Sequence, residues 1–334
     1  MSNPVHFHWK DPSPAGRFRT GVSLHSHTLH SRESLDFVPR MGRHVPPMRW
    51  QAGRFQTRFQ RVHGHPFIFE KGWWTPPLDA AGACAVESGQ IAKLGLRPLV
   101  SLTDHDAFAG QAGMASVELT VQLAPGSLHL GIHNLPPQRA NEVLAYRAQP
   151  AVLMEWLSQF PHVLVVLNHP LWDEGGSDEA THRGVAERFL AQYGSGVHSL
   201  ELNGMRPWRE NQRVMEMAQT WGFPTISGGD RHGFEPNANI NLTNAETFDE
   251  FVDEIRRWRM SSVLFLAQYR IPLQVRVARD VLAVLRDQPH HPLGWRRLED
   301  RVFYEPQPGV VRSIAELFPE GMPRLVPAIS ETSV

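Results

Sequence analysis

RPLVSLTDHD, residues 97–106, runs from an apolar stretch straight into Asp104, His105 and Asp106. A short apolar run of this kind reads as a strand buried on both faces. Its polar end then stands at the mouth of whatever the strand leads into. The pattern recurs along the chain. A first strand over 21–26 runs into His25 and His27. Short strands over 116–121 and 128–133 carry Glu118, His129 and His133. HVLVVLNHP (162–170) ends in His169, and Pro170 stops the strand. VHSLELNG (197–204) ends at Glu201 or Asn203, and FPTISGGDRH (223–232) ends in Asp230 and His232. Helical patterns lie between these runs: 77–95, stopped by Gly95; a segment with Trp156 and Leu157; 178–193; NQRVMEMAQTWG (211–222); and AETFDEFVDEIRRWR (245–259), before the apolar run SSVLFLA. This alternation predicts a mostly parallel sheet with crossover helices. Roughly seven or eight such units predict an α/β protein, a closed or distorted (β/α) barrel with its polar residues gathered at the strand C-termini.

A chain of 334 residues is long enough for one large α/β domain or two ordinary ones. The formal net charge of -1 gives no global field that would draw nucleic acid or a membrane. The single cysteine, Cys84, excludes an intrachain disulfide framework and suits a reducing compartment. Its small-residue helical setting reads as a packed core thiol. MSNPVHFHWKDPSPAGRF carries charge and proline in place of a signal-peptide core. No apolar run approaches the roughly 20 residues needed to span a bilayer. The expectation is a soluble, cytoplasmic protein with no membrane partner.

Two stretches fall outside the repeat. Residues 37–75 form a long insert that holds Arg40, Arg43, Arg49, Arg54, Arg58 and Arg61 with no acid from Phe37 to Phe69. Phe55, Phe59, Phe67, Phe69, Trp50, Trp73 and Trp74 interleave with them. Residues 1–20 read as an irregular arm. Residues 268–334 read as a helical extension packed on the barrel, led by RIPLQVRVARDVLAVLRDQ (270–288).

Histidine is abundant, at 18 residues, and several of the histidines sit where strands should end. In HSH the two imidazoles at i and i+2 share one face of a strand, so both can reach one metal. Asp230 and His232 repeat that spacing after Gly228 and Gly229, which let the backbone crowd the site. His105 is a candidate ligand. Asp104 can orient an imidazole or take a proton, because ligating histidines need such partners. Asp106 reads as a turn cap. Glu118 sits on a short strand whose Val117 and Leu119 take the opposite face. Glu33, six residues past His27, is a carboxylate able to join or bridge. Imidazole and carboxylate together are the ligands of borderline and hard divalent ions.

The ordered series HxH, TDHD, Glu118, histidine, HP and GxDxH resembles the PHP (polymerase and histidinol phosphatase) family of metal-dependent phosphoesterases over roughly residues 21–265. The resemblance implies a distorted (β/α)7 TIM-like barrel holding two or three divalent ions (Mn, Zn or Fe) at the strand C-termini. By position, His25, His27, His105, Glu118, His169, Asp230 and His232 carry over as ligands. His129 and His133 compete for one further ligand position, with His133 favoured. The chain departs from the family at Ser23, where an aspartate is usual. It departs again at HSRES, which replaces SDG and leaves Glu33 as the substitute, and in the length of the 37–75 insert, which should reshape the substrate pocket.

The activity implied is hydrolysis of a small phosphate ester, nucleotide or oligonucleotide end by a metal-activated hydroxide. Asp104 or a site histidine would protonate the leaving oxygen. Arginines fork onto phosphate oxygens; the candidates are Arg206, Arg209, Arg43 and Arg139, with Asn203 at a neighbouring strand end. The insert reads first as a lid over a small phosphorylated substrate and second as a nucleic-acid surface. An amidohydrolase-like metal hydrolase is the alternative enzyme. It usually needs a bridging lysine, and Lys10, Lys71 and Lys93 all lie away from the strand ends. A metal-stabilised binding module with degraded catalysis is the non-enzymatic alternative.

Overall fold

The computed structural model describes residues 4–41, 46–111, 113–124, 126–172 and 178–318. The chain divides into two compact units: Met1–Ser31 with Leu78–Val281, and Arg32–Pro77 with Leu282–Val334.

The first unit is mixed α/β with parallel pairing in both of its sheets. Its strands are β1 (Val5–Phe7), β2 (Thr20–Leu24), β3 (Arg97–Ser101), β4 (Asp104–His105), β5 (Ala115–Leu123), β6 (Gly126–Leu135), β7 (Leu164–Leu167), β8 (Ser199–Asn203), β9 (Thr225–Gly228), β10 (Asn239–Thr243) and β11 (Val263–Phe265). One sheet has the order β1-β11-β10-β2-β3 and the other β9-β8-β7-β6-β5-β4. Among the described residues neither sheet closes on itself. They meet at two seams. Ser101 leads within a few residues from β3 into β4, where Thr103 N donates to Ser26 O at 3.0 Å. On the other side of β2, Gly229 N donates to Leu24 O (3.1 Å), Asp230 N to His25 O (2.7 Å) and His27 N to Arg231 O (2.9 Å). The ends of β2, β3 and β9 are thereby drawn together.

The expectation of a mostly parallel sheet needs correction in both sheets: β10 pairs antiparallel with β2 and with β11. β5 and β6 pair antiparallel with Leu123 opposite Gly126, and β6 and β7 are antiparallel too. The connection between β5 and β6 is far too short for a crossover helix, so a hairpin is the only connection available. Residues 1–20, expected to be irregular, include β1, which pairs parallel with β11.

The helices follow local signals. The Ala80–Ala92 helix starts where Asp79 accepts from Gly82 N, and the Glu179–Tyr193 helix where Asp178 accepts from Thr181 N. The Trp208–Trp221 helix ends on Gly222 in the left-handed region (φ 75°). The Phe248–Arg256 helix buries Phe248, Phe251, Val252 and Ile255 against Val22, Leu24, Leu164, Val166 and Ile226. Packing of the outer helices on β5–β8 forms the largest apolar core.

The second unit contains the helices Phe37–Met41 and Pro46–His63. Its antiparallel sheet has the order Val310–Ser313, Val302–Gln307, Gly72–Trp74, Glu33–Ser34. Insert and C-terminal segment share one core, with Phe59 and Phe67 packed on Tyr304, Ile314 and Phe318. The C-terminal stretch, expected to be helical, thus supplies two strands as well; residues 319–334 lie outside the described residues.

Candidate metal centre

Strand alternation on β5 sends Val117, Leu119 and Val121 into the apolar core and Glu118 to the other face. Glu118 stands opposite Gly131 of β6. A Cβ at Gly131 would lie 2.6 Å from Asn168 Oδ1, so the glycine makes room for the amide that donates from Nδ2 to Glu118 Oε1 at 2.9 Å. Histidines from just past the ends of β2 and β7, from β4 and from within β6 converge on this fully buried carboxylate. Oε1 faces His169 Nε2 at 3.2 Å and His129 Nδ1 at 3.4 Å. Oε2 faces the Nε2 atoms of His25 at 3.0 Å, His105 at 3.1 Å and His27 at 3.4 Å.

His25 and His27 also approach Asp230 Oδ1, at 3.7 and 3.5 Å. His232 stacks on His27 with ring centroids 4.2 Å apart. The triples His25–Glu118–His169, His25–His27–Asp230 and His105–Glu118–His129 each bring ligand atoms within 4.8 Å of one another. Ligands about 2.1 Å from one ion sit about 3–3.5 Å apart, and the Glu118–histidine separations of 3.0–3.4 Å match that spacing. The backbone is strained at three of these residues: φ is 61° at His25, 24° at His169 and 57° at Asp230. A positive φ at a non-glycine residue costs on the order of 1–3 kcal/mol, and such strain clusters at functional sites.

The donor chemistry fits a cation. His25 has Glu118 at Nε2 and Glu201 Oε1 at Nδ1, 2.5 Å away. Hydrogen bonding to both carboxylates would require a doubly protonated ring sealed from water. A cation at Nε2 instead leaves Nδ1–H on Glu201, the carboxylate–histidine arrangement found behind metal ligands. With no ion present, burial works against charge on His25, but Glu118 and Glu201 outweigh it and hold its pKa well above the ordinary range. Glu118 is held well below the carboxylate range: burial opposes this, and His105, His25 and His129 prevail. Asp230 is likewise depressed against its burial, by the hydrogen bond from His27 and by His25, His232 and His169. This buried cluster can bind divalent metal.

The remaining expected residues divide. His129, not the favoured His133, joins the cluster. β6 runs antiparallel to β7, so its beginning, not its end, lies beside His169: Asn168 N donates to His129 O, whereas His133 pairs with Leu164. His133 Nδ1 lies 2.7 Å from Ser101 Oγ. Its pKa falls to about 3, through burial and then the charge of His25. Asp104 turns its carboxylate to Thr28, accepting from N at 2.5 Å and from Oγ1 at 2.7 Å. Arg206 sits over the Trp172 ring, its Cζ 3.6 Å from the ring centroid, with Nη2 3.9 Å from Asp230 Oδ2. Asn203 Nδ2 donates to Glu201 Oε2 at 3.0 Å. Arg139 pairs with Glu142, and Arg209 is exposed. Glu33 lies in the second unit, opposite Trp74. Arg43 lies outside the described residues.

Sequence reasoning placed Glu201 at a strand end without giving it a role, and missed Asn168. Glu201 Oε2 also accepts from His169 N at 2.8 Å, so one carboxylate fixes two histidines. Its signal was present: an acid between Leu200 and Leu202 in a strand with every residue buried.

No family model matches the chain, and no curated relative matches it. Among solved structures it is similar to PsfC from Pseudomonas syringae PB-5123, at 17% identity and TM-score 0.39, over 79% of this chain and 99% of that one. It is similar to an amidohydrolase from Chromobacterium violaceum with bound sulfate and no metal, at 14% identity and TM-score 0.34, over 48% and 84%. It is also similar to a protein from Bifidobacterium adolescentis ATCC 15703, provisionally described as a metal-dependent phosphoesterase, at 18% identity and TM-score 0.32, over 50% and 88%. Among the described residues no helix is long and apolar enough to cross a membrane.

Proposed function

We propose that the chain is a metal-dependent phosphoesterase of the PHP type, acting on a small phosphate ester or nucleotide. The observation that carries this reading is Glu118. Its two oxygens face separate sets of imidazoles, His129 and His169 on one side and His25, His27 and His105 on the other, as a carboxylate shared between two cations requires. In this reading the ions are held by those six residues with Asp230 and His232. The two seams around β2 support a distorted barrel with the centre at its strand C-termini.

Divalent ions bound there would neutralise phosphate charge and acidify water. The chain's own part is to aim the donors and receive the substrate. Glu201 keeps Nδ1–H of His25 occupied, so Nε2 presents its lone pair to the centre. Asn168 fixes one oxygen of Glu118. Arg206, held over the Trp172 ring beside Asp230, would offer its planar guanidinium fork to a phosphate. Asp104 bonds to Thr28, just past His27, and so positions the ligand loop.

The test is to measure the metal content of the purified protein, reload it with manganese, zinc or iron, and assay phosphomonoesters, cyclic phosphates and short DNA or RNA. Metal-dependent phosphate release, lost on chelation and in Arg206→Ala at fixed substrate concentration, is expected. A chain that takes up no metal, or a loaded one inert toward every phosphoester, overturns the reading.

A further inference from the structure

We infer that Glu87, an acid of the Ala80–Ala92 helix outside the metal-ligand cluster, is the positioning residue that holds the two ligand-bearing segments of the centre in register. The inference rests on the metal centre proposed above.

Glu87 is 1% exposed, and its bonds go to both segments. On the segment carrying His25 and His27, Ser23 Oγ donates to Oε2 at 2.8 Å and Ser26 Oγ to Oε1 at 3.3 Å. On the segment carrying Asp230 and His232, Arg231 Nε donates to Oε1 at 3.0 Å, and Asn237 N lies 3.2 Å from each oxygen. Arg231 Nη1 then donates to Gly233 O at 2.6 Å, closing the turn around His232. Asn237 Nδ2 completes the link, donating to Ser23 Oγ and to Leu24 O, both at 2.9 Å.

The arrangement has a physical purpose. His25 and Asp230 both have left-handed backbones, so the two ligand segments meet through three backbone hydrogen bonds and an isolated Ser26–Arg231 bridge rather than a continuous ladder, and side-chain bonds are left to fix the rest. A buried carboxylate accepts several bonds at once, and Arg231 balances its charge, which an amide or an aliphatic residue at position 87 could not reproduce. Ser23, where an acidic residue was expected, thus acts by reaching this carboxylate from the helix.

The experiment compares metal affinity of the intact chain, by titration with Mn(II) or Zn(II) alone, in wild type, Glu87→Gln and the Ser23→Ala/Ser26→Ala double variant, with folding checked by circular dichroism. The serine variant leaves the Glu87–Arg231 charge pair whole, so it decides the matter even if Glu87→Gln does not fold. Folded variants that bind metal about 10–100-fold more weakly than wild type are expected, as for other residues behind ligands. Wild-type affinity in the folded variants overturns the inference. A wild-type chain that binds no metal overturns the proposed function instead, which keeps the two failures apart.

Discussion

His25 carries a carboxylate at each ring nitrogen, so the two carboxylates have different jobs. Glu201→Gln keeps the shape but removes the charge behind Nδ1. The expected result is a folded protein with metal affinity about 10–100-fold weaker, read by competition with a chromogenic chelator. His129 and His133, two candidates for one position, separate as cleanly. His129→Ala should lower metal stoichiometry or affinity. His133→Ala should leave metal binding intact and cost about 1–3 kcal/mol in denaturant unfolding, because it empties a buried, hydrogen-bonded site. Equal metal loss in both variants would contradict the placement of the antiparallel β6.

At the scale of elements, the glycines at the end of β9 and just past it show how closely backbone approaches side chain. A Cβ at Gly228 would lie 1.6 Å from Glu201 Oε1, and one at Gly229 1.7 Å from Asn237. Neither neighbour can retreat without releasing the residues it holds. Gly228→Ala is therefore expected to cost about 1–3 kcal/mol or more by overpacking and to weaken metal binding as well. Gly53, inside the Pro46–His63 helix, has nothing within 4 Å of its added Cβ. Gly53→Ala should stabilise by about 0.5–1 kcal/mol, through helix propensity alone. Urea unfolding of both variants checks the contrast, and equal effects would contradict the packing described.

For the whole molecule, the buried histidines set a pH optimum for the metal-free protein. His25 has a folded pKa above its unfolded value, so its contribution is complete below about pH 6.5 and is lost as pH rises through the folded value. His133 and His198 are lowered to about 3, mainly by burial, so their unfolded forms take up protons first and stability falls between pH 6.5 and 3. Glu118 and Asp230, depressed in the fold, add a further loss as pH falls below about 4. Thermal melts of chelator-treated protein should peak near pH 6.5; a midpoint still climbing from pH 6.5 to 9 would sink the argument. Reloading metal to 100 times its Kd should add about 2.7 kcal/mol, chiefly above neutrality, where ligands need not shed protons.

The strand ends, the approximate helix spans and most of the histidines and acids that cluster around Glu118 were legible in the sequence because they follow from local rules. Apolar runs end in polar residues at 105, 169 and 230, and Gly95 follows the Ala80–Ala92 helix in the left-handed region; His25 and His27 do meet, but past the end of β2 and through a left-handed His25 rather than by strand parity. Strand direction and partnership were not legible. An apolar pattern does not encode whether β6 runs parallel or antiparallel, and direction alone decided that His129 rather than His133 meets Glu118. Nor does it reveal that Glu201 and Glu87 turn inward, or that the insert shares a core with residues 302–318. Those outcomes depend on contacts between residues far apart in sequence. The sequence determined which chemistry is available, imidazole and carboxylate at successive strand ends; the tertiary structure decided which of those groups meet, because only packing sets their separation.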